Sequence, residues 1–345
     1  MKNSNYQFFS SDTSKILPTI GKEVLIEDYK KMVLIRNLEL RLESCYQQGK
    51  IGGFMHSYIG QEAIQTACIR VMGEDNWYTT TYRCHALALL LKVSPKDIFA
   101  ELFGKVTGNA LGRGGSMHLY SNKMLGGFAI VGGHTPIAAG AAFSLAYKNI
   151  KDKVSVCFLG EGSVPQGAFH ESLNLVSLWN LPCIFVIENN QWGMGTPAKK
   201  AVSAHPIAEK MGPAYNIKDY TLDGMDYFNL YAGFSQIFEE TKKTQRPALV
   251  EVITERFKGH SISDPGFYRS KEEVEKIKKR DPIHLFKDKL IENKLFSEEE
   301  AKQIEKDQIE LIKKAMDEAE ADPDPDPINL GEDVFAPEDE RIFGV

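Results

Sequence analysis

Residues 154–196, VSVCFLGEGSVPQGAFHESLNLVSLWNLPCIFVIENNQWGMGT, gather the densest set of groups able to do chemistry in this chain. The run reads as strand, helix, strand, because VSVCFL and CIFVIE are apolar and flank a segment of helical character at about 168–179. In a right-handed βαβ unit the two parallel strands lie close together, and their carboxyl ends open onto one crevice. Glu161 falls just past the first strand, and Asn189 and Asn190 just past the second. One carboxylate and one amide carbonyl therefore converge. Hard oxygen ligands so few in number suit Mg²⁺, which shares its remaining positions with water and phosphate oxygens, better than a caged calcium. Gly160 and Gly162 let a bulky anion approach the backbone, and a helix starting near Gly167 aims its unpaired N–H groups at it. The predicted ligand is a magnesium-bound diphosphate. A nicotinamide-binding G-x-G-x-x-G is absent.

The rest of the chain must hold that crevice in place. Met32, Ile35, Leu38, Leu42, Cys45 and Tyr46 recur at helical spacing until Gly49, which predicts one long amphipathic helix. Ile64, Ala67, Cys68 and Val71 predict a second helix opening at GQEA, and the aromatic, β-branched WYTTTYR predicts a strand. Ser94 and Pro95 start a helix that Gly104 stops, over 95–103. The stretch from Gly104 to Gly133 contains GRGGSMHLY and GGFAIVGG. It is too long for a plain connection and too apolar for a linker, so it reads as a functional loop system. A helix at 136–148, the two strands above with their helix, and then a further helix and the strand ALVEVI (248–253) follow. Apolar strands alternating with helices predict an α/β fold, a doubly wound, mostly parallel sheet flanked by helices. Beyond residue 270 the chain turns helical and charged, with Ser297 and Glu300 spaced as a capping box, and runs into ADPDPDP, an extended tail.

Composition excludes several classes of function. The chain has 345 residues, 43% of them hydrophobic, enough for a sizeable core and against intrinsic disorder. A net charge of -6 without any basic block argues against nucleic acid as a partner. Five scattered cysteines with no C-x-x-C fit neither a disulfide scaffold nor a zinc ribbon and point to a reducing compartment. The leading MKNSNYQFFSSDTSK lacks an apolar targeting core, and no apolar run approaches bilayer length, so no membrane partner and a cytoplasmic location are expected.

GEG followed by ENN is similar to the thiamine-diphosphate motif, whose usual form is GDG followed by NN. HSYIGQEA (56–63), TYRCHA (81–86), GRGGSMHLY (112–120), IVGGHTP (130–136), LPCIFVIENNQWGMGT (181–196) and FKGHSISDPGFYR (257–269) extend the likeness. In these motifs the chain resembles alpha subunits of the thiamine-diphosphate-dependent 2-oxo acid dehydrogenases, those of pyruvate dehydrogenase complexes above all. The resemblance implies a thiamine-diphosphate-binding α/β domain at 51–270, between an N-terminal helical extension (1–50) and a C-terminal helical region with a tail (271–345). It implies Mg²⁺ ligation by Glu161, Asn190 and the backbone carbonyl of Trp192. Tyr82, Arg83, Gly162 and Ser163 would contact the diphosphate, Ala129 and Val131 the pyrimidine side, and His260 the thiazolium. His260 and His56 would be the catalytic residues.

The implied reaction is decarboxylation of pyruvate with transfer of the acetyl group to the lipoyl domain of a dihydrolipoyl acetyltransferase. The carboxylate that must activate the cofactor cannot be identified in this chain. In the family it comes from a beta subunit, within a heterotetramer of two alpha and two beta chains. IVGGH and FHESLNL resemble acetoin dehydrogenase alpha subunits as well. Branched-chain 2-oxo acid activity and a non-catalytic, cofactor-binding assembly role are the further alternatives. Three positions depart from the family pattern: Glu161 replaces the commoner Asp, Pro165 stands where many relatives have Asn, and Trp192 replaces Tyr. Ser261 matches a serine phosphorylated in some eukaryotic relatives.

The histidines divide by context. His56, His85, His118 and His260 lie in loop or glycine-rich segments, whereas His170 and His284 fall in predicted helices. His260 follows a strand's carboxyl end, on a loop (257–269) punctuated by Gly259, Pro265 and Gly266 that Asp264 and Arg269 can tie internally.

Overall fold

The computed structural model describes residues 6–328. The first five residues of the N-terminal extension and residues 329–345 of the predicted C-terminal region lie outside the described residues. The strands are β1 (Trp77–Thr81), β2 (Met124–Phe128), β3 (Ser155–Gly160), β4 (Cys183–Asn189), the two-residue β5 (Trp192–Gly193) and β6 (Thr196–Pro197), β7 (Lys218–Asp223) and β8 (Ala248–Ile253). Six of them form one sheet in the order β2-β1-β3-β4-β8-β7, parallel at every pairing, and β5 and β6 form a separate antiparallel pair.

The strand sequences explain why both faces are covered. Side chains alternate across a sheet with a period of two, and here both halves of the alternation are apolar. Val156 and Phe158 of β3, Ile184 and Val186 of β4, and Val250 and Val252 of β8 enter one hydrophobic core. Cys157, Leu159, Cys183, Phe185, Ile187 and Leu249 enter the other. The first core is shared with the long helix Lys22–Gln47, which buries the predicted Met32, Ile35, Leu38, Leu42 and Cys45. It also takes Ile304, Ile312 and Ala315 from the helix Glu298–Glu320. That helix starts at the predicted capping box, with Ser297 and Glu300 each bonded to the other's backbone N–H.

Two strands of the six-stranded sheet escape the sequence patterns. β7 (KDYTLD) is too polar to read as a strand, because it forms the sheet's edge; there the backbone N–H of Phe9 donates to the Thr221 carbonyl. β2 lies inside the predicted loop system and carries two glycines. A Cβ at Gly127 would come within 2.7 Å of Cys84 Cβ and the Met117 carbonyl, so tight packing, absent from local patterns, selects the glycine.

The GRGGS turn is also not an open cradle. The buried Glu101 side chain fills it, Oε2 accepting from the amides of Ala110 and Gly112 at 2.7 and 3.0 Å, and Oε1 from Gly114 and Gly115 at 2.6 and 3.2 Å. The predicted tail, within its described part, is strapped down: Asp322 and Asp324 pair with Lys96 and Lys105, and the Pro323 carbonyl accepts from the Val106 amide.

Candidate active site

The chain leaves β1 toward β2 on one side and leaves β3 toward β4 on the other, so a crevice opens between the carboxyl ends of β1 and β3. A cavity of about 480 Å³ occupies that crevice. β1 delivers Thr81, Tyr82 and Arg83 to its wall, β2 delivers Phe128 and Ala129, β3 delivers Gly160 and Glu161, and β4 delivers Glu188 and Asn190. Gly162, Ser163, Val131, Trp192, His56 and His260 complete the set, so every residue predicted for the site lines this one cavity.

Glu161 is buried, and its Oε1 has no hydrogen-bond partner. Burial pushes its carboxyl up to about 7, and a cation beside it would favour the ionised form. Asn190 Oδ1 accepts from the backbone N–H of Trp192 at 3.3 Å, and the Trp192 carbonyl accepts from Arg256 at 3.3 Å. Among the described residues no three His, Cys, Asp or Glu side chains cluster so as to hold a metal. A metal at Glu161 and Asn190 would therefore draw most of its oxygens from a ligand and from water.

The charged groups lining the cavity, Arg83, Arg256, Glu161 and Glu188, are not paired with one another. Arg83 is buried and gives its guanidinium to the carbonyls of Ser57 and His260, both at 2.7 Å. Burial lowers it to about 10, so it stays cationic. Arg256, also buried, donates to the carbonyls of Lys258, Trp192 and Met194 and to the Tyr268 hydroxyl. Among the described residues neither guanidinium forms an ion pair with a carboxylate. A buried cation without a counter-ion is costly, which makes this wall a receptor for anionic oxygen. The helix Gly167–Leu178 begins beside it, with Gln166 in the cavity wall and no side-chain cap on its first N–H groups.

His56, Tyr82 and His260 form a ring cluster, with centroids 4.3, 5.0 and 5.6 Å apart. Burial, and then the Arg83 charge, lowers His56 to about 3 and His260 to about 4, so both imidazoles are neutral. Nδ1 of each is buried without a partner. The loop holding His260 is tied as its sequence suggests. Asp264 accepts from the His260 amide, the Gly266 amide and the Tyr268 hydroxyl, while Arg269 donates to the carbonyls of Arg256 and Lys258.

His134 lines the cavity too, its Nε2 facing the Phe158 carbonyl at 2.8 Å and its Nδ1 buried without a partner, and four further histidines take structural places. His85 is one layer behind the cavity, Nδ1 facing Glu39 at 3.1 Å and Nε2 facing the Ser116 carbonyl at 2.9 Å. His118 bonds the Gly114 carbonyl at the surface. His170 meets the Tyr215 hydroxyl from within its helix, and His284 sits in the helix Pro282–Glu292. Pro165 is exposed in the turn before residue 167, and nothing in the structure explains it.

Sequence reasoning missed Gln61, Glu188 and Arg256. Glu188 and Arg256 follow the rule that ligands meet the carboxyl ends of strands, and that rule could have found them. Glu188 Oε1 accepts from the Tyr58 hydroxyl and from Gln65.

The profile of the family described as Dehydrogenase E1 component matches residues 30–328. The chain belongs to the dehydrogenase E1 component family. Its relatives within that E1 family include the pyruvate dehydrogenase E1 component subunit alpha of Rickettsia felis, 41% identical over 93% of this chain and 98% of the relative. The chloroplastic pyruvate dehydrogenase E1 component subunit alpha-3 of Arabidopsis thaliana is 42% identical over 94% of this chain and 77% of its own length. The E1 subunit alpha of Porphyra purpurea is 39% identical over 83% and 85%. Like other members of an E1 dehydrogenase family, the chain is an enzyme subunit. Among the described residues no helix is long and apolar enough to cross a membrane.

Proposed function

We propose that this chain is the alpha subunit of a thiamine-diphosphate-dependent pyruvate dehydrogenase component, which decarboxylates pyruvate and passes the acetyl group to the lipoyl domain of a dihydrolipoyl acetyltransferase. The relatives' names support the choice of pyruvate. The observation that carries the cofactor reading is the cavity that joins two unpaired buried guanidiniums, Arg83 and Arg256, to the partnerless Glu161 oxygen. Such a wall is complementary to a diphosphate with its divalent cation.

In this reading Glu161, the Asn190 side chain and the Trp192 carbonyl hold Mg²⁺. Tyr82, Arg83, Gly162 and Ser163 hold the diphosphate, and Ala129 and Val131 offer backbone groups to the aminopyrimidine. Thiamine diphosphate, when bound, supplies the nucleophilic carbon and the electron sink that decarboxylation needs. The protein's part is to fix that group and keep water out. His56 and His260, neutral and with free ring nitrogens, donate or accept hydrogen bonds where the substrate's charge develops, and His260 is the first choice for moving a proton.

The carboxylate that activates the aminopyrimidine belongs to a beta chain in a heterotetramer of two alpha and two beta chains, working in the cytoplasm. In this reading residues 51–270 form the cofactor-binding domain between an N-terminal extension (1–50) and a C-terminal region (271–345), whose helices Lys22–Gln47 and Glu298–Glu320 pack on its core. The test is calorimetric titration of the assembled alpha–beta enzyme with thiamine diphosphate and Mg²⁺. Glu161→Ala abolishes the metal-dependent binding; affinity equal to wild type would show the ligand assignment to be wrong.

A further inference from the structure

Gln61 is 1% exposed, yet neither its amide nitrogen nor its amide oxygen has a hydrogen-bond partner among the described residues. It stands immediately before the helix Glu62–Met72 and lines the cavity together with Arg83, Glu161 and Asn190. Folded proteins seldom leave a buried donor and a buried acceptor of one side chain both unpaired, since the loss is not recovered elsewhere. Its polar neighbours do not complete it: Gln65 Oε1 and His56 Nδ1 are likewise buried without partners. Gln65, one turn further along the same helix, donates to Glu188 Oε1, which also accepts from Tyr58. Arg83 gives one N–H from each terminal nitrogen to a backbone carbonyl and bonds neither end of Gln61. Because Gln61 lines the cavity, a ligand there can complete both ends of its amide.

The chemistry of the wall says what that is. Two guanidiniums without carboxylate partners ask for anionic oxygen, and the lone Glu161 oxygen asks for a cation. An amide fits both halves of such a ligand, its N–H matching a phosphoryl oxygen and its carbonyl matching a water held by the cation. We propose that Gln61 is a further cofactor-binding residue, which contacts the diphosphate–magnesium group of the cofactor through both ends of its amide. The nitrogen donates to a phosphoryl oxygen, and the oxygen accepts from a magnesium-bound water. This inference rests on the function proposed above.

The test is titration calorimetry of thiamine diphosphate with Mg²⁺ on the assembled alpha–beta enzyme, wild type against Gln61→Met and Gln61→Glu. Met preserves the side chain's volume without its polar atoms, and Glu sets a carboxyl group against the phosphate. The expected result is cofactor binding weaker by roughly tenfold or more for Gln61→Met, which loses both hydrogen bonds, and by roughly a hundredfold or more for Gln61→Glu. The KM for pyruvate at saturating cofactor stays at its wild-type value, and the melting temperature of the cofactor-free Gln61→Met enzyme does not fall. Wild-type cofactor affinity in both variants would overturn the assignment and leave water as the amide's partner. A raised KM for pyruvate with unchanged cofactor affinity would also overturn it, moving Gln61 to the substrate. If the wild-type enzyme itself fails to bind thiamine diphosphate, the broader cofactor reading falls, and this inference with it.

Discussion

Glu101 offers a direct test of how a glycine-rich loop can be held from inside. Four backbone amides converge on its buried side chain, two on each oxygen. A Cβ at Gly108 would stand 2.4 Å from Glu101 Oε2, so the glycines make room for this side chain. Replacing Glu101 by Gln exchanges one oxygen for an NH₂ group and sets donor against donor at two of the four amides. The other two amides keep an acceptor, now uncharged. Hydrogen bonds to charged groups contribute about 1.5–3 kcal/mol each, but residues 112, 114 and 115 are only half-buried, so water recovers part of the loss. The expected cost is about 2–4 kcal/mol, within the 5–15 kcal/mol of ordinary domain stability, so the variant still folds. Chemical denaturation measures the cost, and hydrogen exchange at residues 110–115 locates it, with protection falling there first. The effect should reach the cavity, because Ser116 bonds His85 and Met117 lines the wall. A cost under about 0.5 kcal/mol with unchanged exchange at residues 110–115 would refute the reasoning, since exposed substitutions rarely cost more.

Three further outcomes are expected. In the assembled enzyme His260→Ala keeps near-normal cofactor affinity, because the loop's ties to Asp264 and Arg83 run through the His260 backbone, and turnover falls roughly a hundredfold; a parallel fall in affinity would make the ring a loop-ordering group. The purified chain alone does not decarboxylate pyruvate and gains activity only with a beta chain, so turnover by the isolated chain would refute the divided site. His85 faces a carboxylate and a carbonyl, and although burial opposes it, Glu39 raises its folded-state value above the ordinary 6.5. A raised value means that the stability it lends is fully present below pH 6.5 and is lost as pH climbs above it. The cost of His85→Gln in denaturation should therefore shrink from pH 6.5 upward, and a cost that grows with pH would reverse the assigned charge.

Much of the fold could be read from the sequence because it rests on local periodicity. The helix Lys22–Gln47, the strands β3, β4 and β8 and the capping box at Ser297 each announce themselves within about 25 residues or fewer. The adjacent strands β3 and β4 also brought Glu161 and Asn190 together on paper, since one βαβ unit fixes where both strand ends lie. Contacts between distant segments decided the rest. β2 exists because Met124–Phe128 pairs with β1 and Gly127 packs on Cys84, neither of which its own residues reveal. The GRGGS segment read only as part of a functional loop system, and the fold alone brings Glu101 into it, from the preceding helix. His56, His85, His118 and His260 shared a loop or glycine-rich context in the sequence, and only His260 stood out by following a strand's carboxyl end. Tertiary packing places two of them against the cavity as neutral rings, pairs one with Glu39 behind it and leaves one at the surface. Gln61, Glu188 and Arg256 acquire meaning in the same way, because burial and the lack or presence of a partner belong to the folded chain and to no single segment of it.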